Sequence, residues 1–188
     1  MPRTFRTVLA LLAPALAVAS LASASAQAAE LQVTGERTAL TPSTAVIQFL
    51  AAQGITVTTT GKASIRSDGS LIFPITHGTV TTAPMNARIF HAGGVEFSHA
   101  GSSLLFRDFE FVRRHDRAVL SALVNDHRVV YALIENLAVQ ISGREAIVTG
   151  QEVLGVEAAN LFNKLLGSNL VPPLTPIGTM TSTIRVAG

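Results

Sequence analysis

Short runs rich in Val, Ile, Thr and Phe, separated mostly by Gly, Asp, Asn or Ser, fill this chain from Gly54 onward. They lie at Gly54–Thr60, Ser70–Ile75, Ala87–Phe90, Val95–Ser98, Leu104–Val112, Val119–Val124, Arg128–Ile134, Leu137–Ile141, Ala146–Thr149 and Thr179–Val186. β-Branched and aromatic side chains suit a pleated, half-buried surface, so each run predicts a strand. Regular short strands with frequent turns fit a sandwich or a barrel. The fold expected is mainly β: an antiparallel β-sandwich with two short peripheral α-helices. Val95 and Phe97 can share a face with Leu104 and Phe106 across a turn near Ala100-Gly101-Ser102. Phe109 and Phe111 then have the opposite parity from Phe106, which predicts a bulge near Arg107-Asp108 or burial of both strand faces.

Helical spacing interrupts this pattern twice. The first predicted helix opens at Leu40-Thr41-Pro42, with Thr41 as a cap and Pro42 at the first helical position, and closes at Gly54. Its Val46, Ile47, Phe49 and Leu50 would face a core. The second runs from Val156 to Leu166, with Ala158, Ala159, Leu161, Phe162, Leu165 and Leu166 apolar and Gly167 as its stop. Both are about three turns long, too short to stand alone, so each must dock on the sheet. Val33-Thr34-Gly35-Glu36 leads into the first helix much as Val148-Thr149-Gly150-Gln151 leads into the second, which suggests a pseudo-repeat whose helices close equivalent ends of the fold. The stretch Leu170-Val171-Pro172-Pro173-Leu174-Thr175-Pro176 is an extended connector to the last strand.

The first 28 residues have the make-up of an export signal: Arg3 and Arg6, an apolar run from Val8 to Leu21, and Ala26-Gln27-Ala28 for cleavage after Ala28. The expected product is residues 29–188 as a single domain, secreted or extracytoplasmic at the cell surface or in the periplasm. Without the leader, basic and acidic residues balance at 12 each. A neutral chain with no basic run lacks the footprint of a nucleic-acid binder. Cysteine is absent, which removes disulfides, thiol catalysis, thiolate metal sites and a lipid-anchored N-terminal Cys. The leader's apolar run is too short to span a membrane and no later run is longer, so no transmembrane segment is expected after cleavage.

Candidate chemistry is sparse. There is no HExxH, GxSxG, phosphate-binding glycine loop or EF-hand loop, so a non-catalytic protein is expected. Of five histidines, His91 in Ile89-Phe90-His91-Ala92-Gly93-Gly94-Val95 stands out. A neutral imidazole at an apolar strand end beside glycines suits an axial iron ligand, or a donor to one. The plainer reading is a solvated turn. His77 ends an apolar strand before Gly78 and ranks next, while His99, His115 and His127 sit near turns, and a zinc site built from several of them fits no compact spacing. Tyr131 is the only tyrosine; a phenolate can ligate ferric haem, and a core or rim residue is the plainer reading. Arg113-Arg114 could meet an anion or form a solvated hairpin tip.

From Ser70 onward the order of signals resembles the haem-transport-associated (HtaA) domain. The residues that carry the resemblance are Phe73-Pro74-Ile75-Thr76-His77-Gly78, Phe90-His91-Ala92-Gly93-Gly94-Val95-Glu96-Phe97, Leu105-Phe106-Arg107-Asp108-Phe109, Val119-Leu120-Ser121-Ala122 and Ala158-Ala159-Asn160-Leu161-Phe162-Asn163. It implies a β-sandwich at the cell envelope and binding or transport of haem or another apolar ligand. His91 matches the family's glycine-adjacent histidine and is the metal-ligand candidate, in a cleft walled by Phe90 and Phe97, with Tyr131 also a cofactor-binding candidate. The family's axial tyrosine has no counterpart in the matching stretch Thr44–Thr60, where Phe49 is the aromatic residue. The alternative is a secreted structural or protein-interaction module, with an envelope partner, that has lost the haem site.

Overall fold

The computed structural model describes residues 30–82 and 84–187, so the leader at 1–28 lies outside the described residues. In chain order the elements are β1 (Glu30–Pro42), α1 (Thr44–Ala52), β2 (Thr56–Thr60), β3 (Ser64–Ile65), β4 (Leu71–Thr82), β5 (Met85–His91), β6 (Gly94–His99), β7 (Ser102–Arg114), β8 (Arg117–Val124), β9 (His127–Ser142), β10 (Glu145–Leu154), α2 (Val156–Leu166) and β11 (Pro176–Val186). The strands form one antiparallel sheet in the order β2-β6-β7-β5-β4-β1-β11-β10-β9-β8, with β3 paired to β4, and β8 pairs back onto β7. That last pairing closes the eight strands from β7 through β5 and β1 to β8 into a ring.

The expected sandwich is therefore corrected to a closed antiparallel β-barrel, with β6 and β2 as a ribbon extending from β7. Alternation along a strand shows that one face is buried. It does not show whether the edge strands stay apart in two layers or curl round to meet.

Closure runs through β7. Its first half pairs with β6, placing Val95 opposite Phe106 and Phe97 opposite Leu104, and its second half pairs with β5, placing Ile89 opposite Phe111. Between the halves the register with β8 slips from Arg107 to Glu110, and Asp108 takes a left-handed φ of 51°. This is the bulge that the phenylalanine parity predicts, and it buries Phe106, Phe109 and Phe111 together in the barrel. Gly93, at φ 88°, makes the matching break between β5 and β6; a Cβ there would lie 2.5 Å from the Ala63 amide nitrogen. The two runs predicted at Arg128–Ile134 and Leu137–Ile141 are one strand, β9, continuous through a bulge at Asn136, whose φ is 50°.

β1 and β10 flank β11 and both run antiparallel to it, so α1 and α2 leave the barrel at the same end. α2 spans the predicted residues, and Gly167 ends it at φ 64°, its N–H bonded to the Lys164 carbonyl. α1 begins later than predicted. The ladder between β1 and β11 holds Thr41 and Pro42 extended, opposite Thr179 and Gly178. Ser43 is the cap instead, its Oγ accepting from the Val46 N–H at 3.3 Å, while the Thr41 hydroxyl is 3.0 Å from Ser70 Oγ.

Candidate functional site

At the end of the barrel where β1 and β10 finish and β4 and β11 begin, side chains leave the mouth unfilled. A cavity of about 480 Å³ is bordered by Leu40 and Pro42 from β1, Val46, Ile47, Leu50 and Ala51 from α1, Ile55, Val57, Phe97, Tyr131, Glu152 and Ile177. Its outer rim is Ile65, Ser67, Asp68, Gly69 and Leu71. A second cavity of about 280 Å³ shares Val46, Leu50, Phe97, Tyr131 and Ile177, and extends along Phe49, Leu154, Phe162 and the connector at Leu170, Val171 and Pro172. Small-molecule sites have sizes and apolar walls of this kind. α1 walls both cavities, and none of its residues is fully buried: Phe49 and Leu50 pack partly against the core, and with Val46 they also border empty volume.

Three ionisable side chains border the first cavity, and all are acids. Tyr131, on β9, is wedged edge-on between the rings of Phe106 (5.1 Å) and Phe109 (5.4 Å). Burial pushes its phenol above the ordinary tyrosine range, and the neighbouring charge of Glu152 adds to the effect. Glu152, on β10, is 3% exposed, and its Oε1 is enclosed with no hydrogen-bond partner. Burial raises its carboxyl to about 8, so it is protonated at neutral pH. Asp68 sits exposed at the rim and accepts from the Ser70 N–H at 2.9 Å, a bond that holds its carboxyl below the usual range. No Lys, Arg or His borders either cavity among the described residues.

The candidates from the sequence separate into two groups. Phe97 and Tyr131 border both cavities. His91 points into the barrel, 5% exposed, and borders neither. Its Nδ1 is 3.1 Å from the Phe109 carbonyl, which can only accept, so Nδ1 carries the proton. Nε2 then accepts from the Thr38 hydroxyl at 2.7 Å, and Thr38 in turn meets Ser182 Oγ at 2.7 Å. The Phe109 carbonyl is free for this bond because the bulge leaves Phe109 unpaired with β8. Burial lowers the imidazole to about 4, so it stays neutral, and both nitrogens are already committed to protein partners. Phe90 faces outward, stacked on His77 at 4.5 Å beneath the Arg88 guanidinium. Successive strand residues point to opposite faces, so Phe90 and His91 cannot line one cleft.

His77, His115 and His127 are exposed and His99 is half-buried. No cluster of three or more His, Asp or Glu able to hold a metal occurs among the described residues. Sequence patterning did not flag Glu152, because the predicted strand stopped at Thr149. The period-two set Val148, Gly150, Glu152, Leu154 is buried, and carrying that alternation three residues further would have placed an acid inside.

No family model matches the sequence, and no curated protein matches it. Solved structures do match. The C-terminal domain of HtaA from Corynebacterium glutamicum is 16% identical, with 84% of this chain and 99% of that domain covered and a TM-score of 0.70. The chain has an HtaA-like domain fold. The N-terminal domain of HtaA (14% identical, 82% and 99% covered, TM-score 0.60) and the haem-binding protein HtaB (10%, 86% and 98%, TM-score 0.60), both from the same organism, share it. In this HtaA-like barrel, Phe49 of α1 borders the second cavity, and the phenol on the cavity walls comes from β9.

Proposed function

We propose that this protein is an exported, non-catalytic binding protein that carries an apolar small molecule, haem or another, in the barrel mouth beneath α1. The observation that carries this reading is the cavity of about 480 Å³ whose wall includes a helix with no buried residue. Export is supported by the leader, and haem as a candidate by the likeness to HtaA and HtaB domains. The residues present fit the apolar body of a macrocycle and offer one oxygen of an iron-ligating type, Tyr131. Bound haem would supply a ferric centre to that oxygen. On the protein's side, Phe106 and Phe109 hold the phenol in place, and burial keeps it protonated in the free protein.

Titrating the purified protein with ferric haem tests this reading. A Soret band distinct from free haem is expected, and Tyr131→Phe shifts or abolishes it. The second reading, an envelope interaction module that kept the barrel without the haem site, is favoured by one feature: both nitrogens of His91 are engaged within the protein. Absence of any spectral change at micromolar haem, together with no binding of a smaller apolar molecule, would leave that reading in place.

A further inference from the structure

We infer that the cavity beneath α1 selects apolar molecules that end in a protonated amine, with Glu152 as the counter-carboxylate at its inner end. The inference rests on the reading that this cavity holds a small molecule, and it names the ligand's polar end. Glu152 borders the cavity, is 3% exposed, and has an Oε1 with neither a protein partner nor solvent access. Buried polar atoms are nearly always paired, so an orphaned carboxyl oxygen on a residue that lines the cavity marks a place for a donor that the protein does not itself supply.

The rest of the wall says which donor. α1 contributes only Val46, Ile47, Leu50 and Ala51, and β2 contributes Val57. The other ionisable groups that face the space are Tyr131 from β9 and Asp68 at the rim, both acids. No Lys, Arg or His lines the cavity among the described residues, and Arg66 at the rim already acts on Asp68, so the buried end offers an anion two neutral hydroxyl donors, Glu152 and Tyr131, but no charge to balance its own. A primary ammonium brings positive charge and three donors, and it complements an acid-only wall.

Binding of this kind has a signature. In the free protein the Glu152 carboxyl, raised to about 8 by burial, holds its proton at neutral pH. An adjacent ammonium favours the carboxylate, so the amine displaces that proton into solution.

Calorimetry with n-octylamine, 1-octanol and octanoate at neutral pH tests the inference. Octylamine is expected to bind at least about tenfold tighter than octanol, and octanoate more weakly than either. Binding of the amine should release about one proton, read from the dependence of the heat on buffer ionisation. Glu152→Gln should bring amine and alcohol to similar affinity and abolish the release, while Leu50→Trp, which fills the cavity from α1, should weaken all three. Equal binding of amine and alcohol, tight octanoate binding, or no proton release on the unmodified protein would overturn the amine selectivity; the last two readouts hold even if the Gln variant does not fold. Octanol binding with no advantage for the amine would sink this inference alone, whereas failure of all three ligands and of haem would sink the carrier reading beneath it.

Discussion

α1 and α2 leave the barrel at the same end, follow strands on either side of β11 and are of similar length, yet only α2 has fully buried residues, while α1 touches the core with the half-buried Phe49 and Leu50. α2 buries Ala158, Ala159 and Phe162, and the Phe162 ring meets Phe97 at 4.8 Å and Phe106 at 5.7 Å. Small residues permit the approach: at Gly155, which caps α2, a Cβ would lie 2.3 Å from the Val130 carbonyl oxygen. Polar ties fix it. Glu157 accepts from the Val130 N–H at 2.6 Å, and Asn163 clamps the Val171 backbone through both amide atoms at 2.9 and 2.8 Å. α1 has Gln48 and Thr44 as its only polar residues, yet Ile47 is 43% exposed and nothing on the helix is buried. Backbone bonds at its ends, Ser43 N–H to Ile177 and Ile55 N–H to Leu50, each 2.9 Å, hold it in place. Apolar character therefore does not by itself make a core helix; what matters is whether atoms or a void lie beneath it. A helix over a void is expected at the low end of local stability, which suits an entrance.

The sharpest way to break this comparison is Phe162→Ala. Removing a ring from the buried cluster is expected to cost about 3–5 kcal/mol in denaturant unfolding. A loss below about 1 kcal/mol would put α2 on the same footing as α1.

The floor beneath α1 gives the next effect. The Glu152 carboxyl is raised from 4.5 to about 8, so the folded protein keeps a proton that the unfolded chain releases. Stability from this group is complete below pH 4.5 and is lost as pH rises through 8. Glu152→Gln should thus be more stable than the parent by roughly 4 kcal/mol at pH 8 and little different near pH 4.5. A gain that does not depend on pH would rule out burial of the acid.

His91, deep in the barrel, has the opposite sign. Its imidazole is lowered from 6.5 to about 4, so its contribution is complete above pH 6.5 and is lost as pH falls through 4. The acid limb of stability should steepen over that window by roughly 3 kcal/mol in all, and His91→Gln should flatten it.

The smallest effect is expected in α1. Leu50→Ala should change stability by about 1 kcal/mol or less, because the side chain is half-buried over a cavity. Hydrogen exchange should be faster across α1 than across α2; equal protection would mean that the void does not loosen the helix.

Much of the frame was legible before the fold was known. The αL stop at Gly167, the Ala100-Gly101 turn with φ of 48° and 81°, and the β7 bulge each depend on residues a few positions apart. The candidate site was legible only in part. Phe97 and Tyr131, singled out from the sequence, do line the cavities. Phe90 was placed with His91 although adjacent strand positions face opposite ways, and the glycines after His91 suggested a solvated turn where β5 instead delivers the ring to Thr38 and Phe109. Glu152 escaped notice because an acid near the end of a run reads as a strand terminus, and only its neighbours across the barrel show that it is enclosed.

By itself, then, the sequence determined the local grammar: strands from period-two alternation, helix ends from their caps, a bulge from a parity change, and the absence of thiol chemistry. These follow from steric and solvation preferences that act within a few residues. Tertiary structure alone decided that β8 meets β7 to close a barrel, that one helix buries its apolar side chains while the other is only half-buried beside a void, and that Phe97, Tyr131 and Glu152 from three strands border one cavity. Those outcomes depend on how the twist and curl of the whole sheet bring distant edges together, which no local pattern encodes.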